Sequence, residues 1–197
     1  VDIVIPIPDS GNASALGYAE HIKKPFEFGI IRNHYTGRTF IQSTNTIRDL
    51  SVKLKHNINI SSLKGKNIAL VDDSIVRGTT SIKIVEMLRN CGVSEIHMRI
   101  ASPPVKYPCF YGIDTPTKEE LLASKFTIDE IMKMINVDSL KFVSLDGVYR
   151  ALGHKNGRDN KNPVFTDHYF SGDYPVNLVD FNSGIGPTQL ALLIETK

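Results

Sequence analysis

Apolar positions follow two alternating rhythms along the chain. Short runs of consecutive apolar residues fit buried strands, and stretches with apolar residues every three or four positions fit helices packed on one side. Residues 3–7 read as a strand, and 12–23 as a helix with Ala15, Leu16, Ala19 and Ile22 on one face. Gly29-Ile30-Ile31 predicts a short strand, 32–46 an irregular polar stretch, and 46–56 a second helix. Residues 67–71 predict a strand, and 80–90 a helix with Ile82, Val85 and Leu88 inward, closed by Cys91-Gly92. A strand is expected at 95–101. Thr117 with Glu120 and Thr127 with Glu130 have capping-box spacing and predict two short helices. Val143 lies in a brief apolar run before a last helix at 146–152. Beyond it, 153–162 is polar and glycine-containing, a linker or mobile loop, and no pattern assigns an element to the tail from Pro163.

Alternating β and α segments imply an α/β fold: a parallel sheet with helices on both faces, and ligands at the carboxyl ends of its strands. The expected division is a core at 1–152, a polar linker or loop at 153–162 and a tail of unassigned structure at 163–197. Val1 runs straight into the first strand, so the chain reads as a fragment truncated at its N-terminus.

Bulk properties remove several classes of function. A chain of 197 residues can bury one substantial core, and 41% hydrophobic with 22% charged residues fits a soluble globular protein. A formal charge of +2 gives no basis for binding nucleic acid or a membrane surface. No apolar run approaches the ~20 residues of a membrane helix and no signal-peptide pattern opens the chain, so a cytoplasmic location is expected. Cys91 and Cys109 read as free thiols, and the six histidines lack metal-ligand spacing.

The densest chemistry lies in Leu70-Val71-Asp72-Asp73-Ser74-Ile75-Val76-Arg77-Gly78-Thr79-Thr80-Ser81. A predicted strand delivers two adjacent carboxylates, which can accept hydrogen bonds from vicinal hydroxyls or hold a hydrated Mg²⁺. Gly78 lets the backbone approach an anion, and the amides around Thr79, Thr80 and Ser81 point toward it from the positive end of a helix. Two acids that merely cap a turn are the alternative; the glycine and hydroxyls behind them favour a phosphorylated sugar.

Three loops converge on that string. Pro6-Ile7-Pro8-Asp9-Ser10-Gly11 can present amides to a diphosphate. Alone it reads as a plain helix cap at Ser10 or Asn12; beside the acidic loop the diphosphate reading is the better one. Residues 32–41, with Arg48, Lys53 and Lys55, combine cations, an aromatic, hydroxyls and a glycine. That suits a lid over a polyanion better than a solvated basic loop; the basic residues form no domain-wide patch for nucleic acid. Pro103, Pro104 and Pro108 stiffen 101–114 into a fixed wall.

The 70–81 string resembles the signature of type I phosphoribosyltransferases for phosphoribosyl diphosphate (PRPP), in which the acidic pair engages the ribose hydroxyls and the Gly-Thr-Thr loop holds the 5′-phosphate. Ile5-Pro6-Ile7-Pro8-Asp9-Ser10, Gly37-Arg38-Thr39-Phe40-Ile41 and Tyr111-Gly112-Ile113-Asp114 accompany it in an order that resembles the amidophosphoribosyltransferase family over about residues 1 to 150. The resemblance implies transfer of ammonia to C1 of PRPP. On that expectation we assign roles: Asp9, Ser10 and Gly11 on the diphosphate, Arg38 on substrate, and Arg32, Lys55 and Tyr35 as catalytic residues, the two cations on the diphosphate and Tyr35 against the ribose. Asp72 and Asp73 fall on the hydroxyls and Mg²⁺, with Ser74 beside them, and Arg77, Gly78, Thr79, Thr80 and Ser81 on the 5′-phosphate.

Three departures accompany the match. Nothing corresponds to the family's N-terminal glutaminase, so ammonia is expected free or from a separate glutaminase domain or chain. A helix and strand that precede the first transferase strand are missing, which implies an incomplete sheet edge. One branch of the family holds a [4Fe–4S] cluster on four cysteines. Cys109 matches a ligand there, but 162–174 contains no cysteine, so no iron-sulfur cluster is expected. Homo-oligomerisation is left open. Two other readings stay in play: a PRPP- or nucleotide-binding regulator or inactive remnant without turnover, and a nucleobase salvage phosphoribosyltransferase.

Overall fold

A computed structural model describes residues 1–33, 56–112 and 117–178. Its strands are β1 (Ile3–Pro6), β2 (Ile30–Arg32), β3 (His56–Ile58), β4 (Asn67–Asp72), β5 (Glu95–Ile100) and β6 (Ser139–Phe142). Its helices are α1 (Asn12–Ile22), α2 (Ile60–Leu63), α3 (Thr79–Asn90), α4 (Leu122–Lys125), α5 (Ile128–Ile135), α6 (Leu145–Ala151) and α7 (His168–Ser171), with a 3₁₀ turn at Lys118–Glu120.

Side chains alternate along a strand, so a run apolar at every position must be buried on both faces. Ile3, Ile5, Ile68 and Leu70 point to one face, where Ile84, Val85 and Leu88 of α3 and Ile131 and Ile135 of α5 cover them. Val4, Ala69 and Val71 point to the other, where Ala15 and Ala19 of α1 cover them. The result is the expected α/β architecture, a parallel sheet in the order β1-β4-β5-β6 with helices on both faces. β2 and β3 form a separate antiparallel pair.

The outer edge of β1 is not left bare. Val4 N donates to Pro25 O (2.8 Å) and Glu27 N to Val4 O (3.1 Å), so residues 25–27 run beside β1 opposite β4. The chain therefore leaves β1 in one direction through α1, while β4 lies in the other. Crossovers of one hand that run in opposite directions place their helices on opposite faces. In sheets of this kind ligands bind in the crevice at the carboxyl ends of the strands where the order reverses, here between β1 and β4.

Several expectations need correcting. Leu16 is 57% exposed: the buried stripe of α1 runs through Ala15 and Ala19, and Leu16 sits a quarter-turn away. In α3 the inward positions are Ser81, Ile84, Val85 and Leu88, with Ile82 half-buried. The helix expected at 46–56 lies outside the described residues except for His56, which is in β3. β6 precedes Val143, and it escaped detection because Ser139 and Lys141 interrupt its apolar positions. Both capping boxes are present, at Thr117 and Thr127, and the first opens only the 3₁₀ turn. Among the described residues no helix is long and apolar enough to cross a membrane.

Residues 153–162 contain no helix or strand, yet they are anchored. The Arg158 side chain, 6% exposed, donates to both Asp167 oxygens (2.7 and 3.2 Å) and to Asp173. Asp167 also accepts from Tyr149 Oη (2.7 Å) and Ser171 Oγ (2.7 Å). Burial pushes the Asp167 carboxyl up, but the hydrogen bonds from Arg158, Ser171 and Tyr149 outweigh it and hold it below the usual carboxylate range. Breaking a buried ion pair leaves one charge uncompensated, so Arg158→Met is expected to lower stability by roughly 3–5 kcal/mol in urea unfolding. A loss under about 1 kcal/mol would show that the pair is already well solvated.

Candidate functional site

The turn after β1 lies directly against the end of β4. Ile7 N donates to Val71 O (2.8 Å), and Gly11 N closes the turn onto Ile7 O (2.9 Å). The Pro8–Asp9 peptide is cis. A Cβ at Gly11 would strike Val71 O and sit 2.9 Å from Ile7 O, both rigid backbone atoms, so glycine is required by close approach. α1 begins at once, with Gly11 as its N-cap and no capping side chain. Its first bond is Ala15 N to Gly11 O (2.9 Å), so the amides of Ala13 and Ser14 precede any intrahelical partner.

β4 ends at the acidic doublet, and its two members differ sharply. Asp72 is 6% exposed, and its Oδ1 accepts from Ser10 Oγ (3.2 Å) and Asp73 N (2.9 Å). Burial pushes its carboxyl up to about 7, against the lowering effect of the Asp73 amide and with the Asp73 carboxylate adding to the rise. Asp73 is exposed, and its Oδ1 accepts from Ser74 Oγ (3.0 Å). The chain then reaches Gly78 at φ +74°, the N-cap of α3, again without a capping side chain. Ile82 N to Gly78 O (3.0 Å) is the first bond of α3, so the amides of Thr79, Thr80 and Ser81 precede it. Thr79 and Thr80 are exposed; Ser81 is 3% exposed and can offer an anion its amide rather than its hydroxyl.

Of the predicted residues, Ser10 and Gly11 meet the end of β4 through the Ser10–Asp72 bond and the Gly11–Val71 contact, Ser74 holds Asp73, and Gly78, Thr79, Thr80 and Ser81 follow at the start of α3. Asp9 points its carboxylate to Arg32 Nη1 (2.8 Å), an ion pair nearly half exposed, so this acid can serve a diphosphate only through its backbone. Arg77 reaches Glu120 Oε2 at 3.4 Å. Tyr35, Arg38 and Lys55 lie outside the described residues, as do the 37–41 string and Ile113-Asp114. Glu120, read from sequence only as a capping residue, and Leu122, read as nothing in particular, both touch the 76–78 turn. No local sequence signal marks a partner 44 residues away.

Two uncapped helix N-termini flank a pair of acids. Such an arrangement suits a molecule with an anionic group at each end and hydroxyls between. The donor set also fits Mg²⁺, which takes one or two carboxylates and completes its shell with water and ligand oxygens. No group of three or more candidate metal ligands occurs among the described residues, so a closed protein cage does not fit. A [4Fe–4S] cluster fits no better. The chain offers two of the four thiolates required, and the Cys109 thiol already accepts from Tyr169 Oη (3.2 Å) and Tyr111 N (3.3 Å).

A buried acid with a raised pKa opposes folding at neutral pH. The folded state binds the Asp72 proton more tightly, so its stability falls as pH rises from 3.8 toward about 7 and stays reduced above that. Asp72→Asn is therefore expected to raise the melting temperature at pH 8, and the gain should vanish below about pH 4. A lower melting temperature for the variant at pH 8 would contradict the burial argument.

Comparisons with known proteins show which family the chain resembles. The family profile described as "Phosphoribosyl transferase domain" matches residues 1–101. The chain is 52% identical over 193 residues to an amidophosphoribosyltransferase of Rhizobium etli, covering 98% of this chain and 39% of that protein. It is 51% identical over 175 residues to the chloroplastic amidophosphoribosyltransferase 1 of Arabidopsis thaliana, covering 89% of this chain and 30% of that one. Among solved structures, the glutamine PRPP amidotransferase of B. subtilis complexed with ADP and GMP superposes with a TM-score of 0.78 at 45% identity. That match covers 90% of this chain and 38% of the other. The chain spans about two fifths of these relatives' length, or less.

Proposed function

The chain belongs to the phosphoribosyl transferase domain family, and on that premise we propose that it is the transferase module of an amidophosphoribosyltransferase. It moves ammonia onto C1 of PRPP, giving 5-phosphoribosylamine and diphosphate, the opening step of purine synthesis. The observation that supports this most is the crevice itself: free helix amides on each side of Asp72 and Asp73, joined by the Ser10–Asp72 bond.

In this reading the ribose hydroxyls donate to Asp72 and Asp73, with Ser74 orienting Asp73. The 5′-phosphate sits on the amides of Thr79, Thr80 and Ser81 beside Arg77 and Gly78. The diphosphate lies on the 9–11 turn, where Asp9 and Ser10 contribute their amides and Gly11, its own amide spent on Ile7 O, supplies the tight turn, with Arg32 and Lys55 adding positive charge. Arg38 contacts the phosphorylated substrate and Tyr35 rests against the ribose. Asp72 and Asp73 would hold a hydrated Mg²⁺, which would supply positive charge to the leaving group.

The chemistry asks little covalent work of the chain. As the C1–O bond breaks, charge moves onto the diphosphate and the sugar becomes cation-like, so preorganised donors at the leaving group do most of the catalysis. The ammonia lone pair forms the new C1–N bond and both bonding electrons of C1–O leave with the diphosphate; the ammonium nitrogen so formed gives its extra proton to solvent, and no enzyme nucleophile is needed. Ammonia arrives free in solution or from a glutaminase on another domain or chain. PRPP binding with no diphosphate release at any ammonium concentration would instead support a regulator.

Two outcomes test the reading. With PRPP, Mg²⁺ and ammonium, diphosphate release is expected and should fall at least a hundredfold in Asp73→Asn, a loss on the scale of an electrostatic donor or acceptor in an active site. Equal rates in the two proteins would remove it. Because the hydroxyls need Asp72 ionised, affinity for ribose 5-phosphate should rise with pH up to about 7 and level off above it. A pH-independent affinity between 5.5 and 8 would show that Asp72 takes no part.

A further inference from the structure

The turn that carries the proposed 5′-phosphate site is held from outside. Residues 73–78 join β4 to α3 without ladder bonds of their own, yet amides that bind an anion must be fixed to within about half an ångström. Ile75, 2% exposed, anchors the middle of the turn in the core. The other supports come from residues 117–122. Leu122 N donates to Val76 O (2.9 Å). Glu120 Oε2 faces Arg77 Nη2 (3.4 Å) while also accepting from Thr117 N (3.3 Å). At Gly78 a Cβ would lie 2.7 Å from Leu122 Cδ2, so the leucine methyl fills the space a side chain would take. Three successive residues of the turn are therefore gripped by one short segment, through a backbone bond, an ion pair and a methyl contact.

We infer that Leu122 is a positioning residue for the phosphate turn, acting through Gly78 and the Val76 carbonyl rather than by touching ligand. The inference rests on the phosphate role proposed for this turn. Leu122 is 7% exposed and shares its core cluster with Ile75 and Ile84, so its packing links the hydrophobic core to the first amides of α3. Truncation would free Gly78, whose left-handed conformation is otherwise braced against that methyl, and the amides of Thr79 to Ser81 would lose their aim. The diphosphate turn at 9–11 rests on Val71 and Ile7 instead. The two ends of the crevice should thus respond differently.

The test is calorimetric titration of the whole chain and of Leu122→Ala, with ribose 5-phosphate and inorganic diphosphate as separate probes. Leu122→Ala should weaken ribose 5-phosphate about tenfold or more, because a misplacement below 1 Å already weakens oriented contacts. Diphosphate affinity should stay within about twofold, and Leu122→Met, which keeps the volume, should retain both affinities. If Leu122→Ala fails to fold, Leu122→Val carries the same asymmetry at about threefold. Equal weakening of both probes, or no weakening of either, overturns the inference. If wild type binds neither probe, the reading of the crevice falls first and takes this inference with it.

Discussion

One backbone-on-backbone contact organises the molecule: Gly11 pressed against the Val71 carbonyl at the carboxyl edge of the sheet. It lets the turn after β1 lie on the end of β4 with no side chain between. Since the strand order reverses at β1, helices from opposite faces begin at that same edge, one after each strand. A Cβ at Gly11 would push the turn outward and pull Ser10 away from Asp72. The separation of the two helix N-termini is thus set by rigid main chain, and in the proposed function that spacing fixes the span of the ligand before any side chain selects it.

Between those termini the protein accepts an unfavourable arrangement. Asp72 is nearly buried beside the exposed Asp73, and its proton is held near neutrality because burial opposes the charge. Ser10 Oγ and Asp73 N occupy one of its oxygens, which in the proposed function partly stands in for the hydroxyls of a sugar. Sites that bind strongly are often destabilising in this way, since the polar partners they lack are those the ligand brings. Asp73 remains wet and held by Ser74, placed to share a hydrated cation.

Much of this was legible in the sequence because the signals are local. The β4 run, the doublet at its end and Gly78 before a helical rhythm occupy a dozen consecutive residues, and each has a direct physical meaning. What stayed hidden depends on partners far along the chain. β6 alternates polar and apolar residues, so only the brief apolar run at Val143 stands out beside it. Leu16 fitted the apolar stripe of α1 by spacing but lies just off its buried line. Arg158, in a stretch that reads as a linker, is tied down by Asp167 and Asp173, whose pairing no local pattern announces. The grip of Leu122 and Glu120 on the phosphate turn is hidden for the same reason. Tyr35, Arg38 and Lys55, chosen for their charge and aromatic character, rest on the family resemblance and the composition of their loop.

The central claim is that two distinct anion sites, spaced by the sheet edge, hold the two ends of one molecule. Competition titration tests it most directly: saturate the protein with inorganic diphosphate and Mg²⁺, add ribose 5-phosphate, then add PRPP. The account predicts that the two half-ligands bind together without displacing one another and that PRPP, joining both through one ribose, expels both at far lower concentration. Mutual displacement of the two halves, with PRPP binding no more tightly than either, would mean a single anion site and would contradict the account.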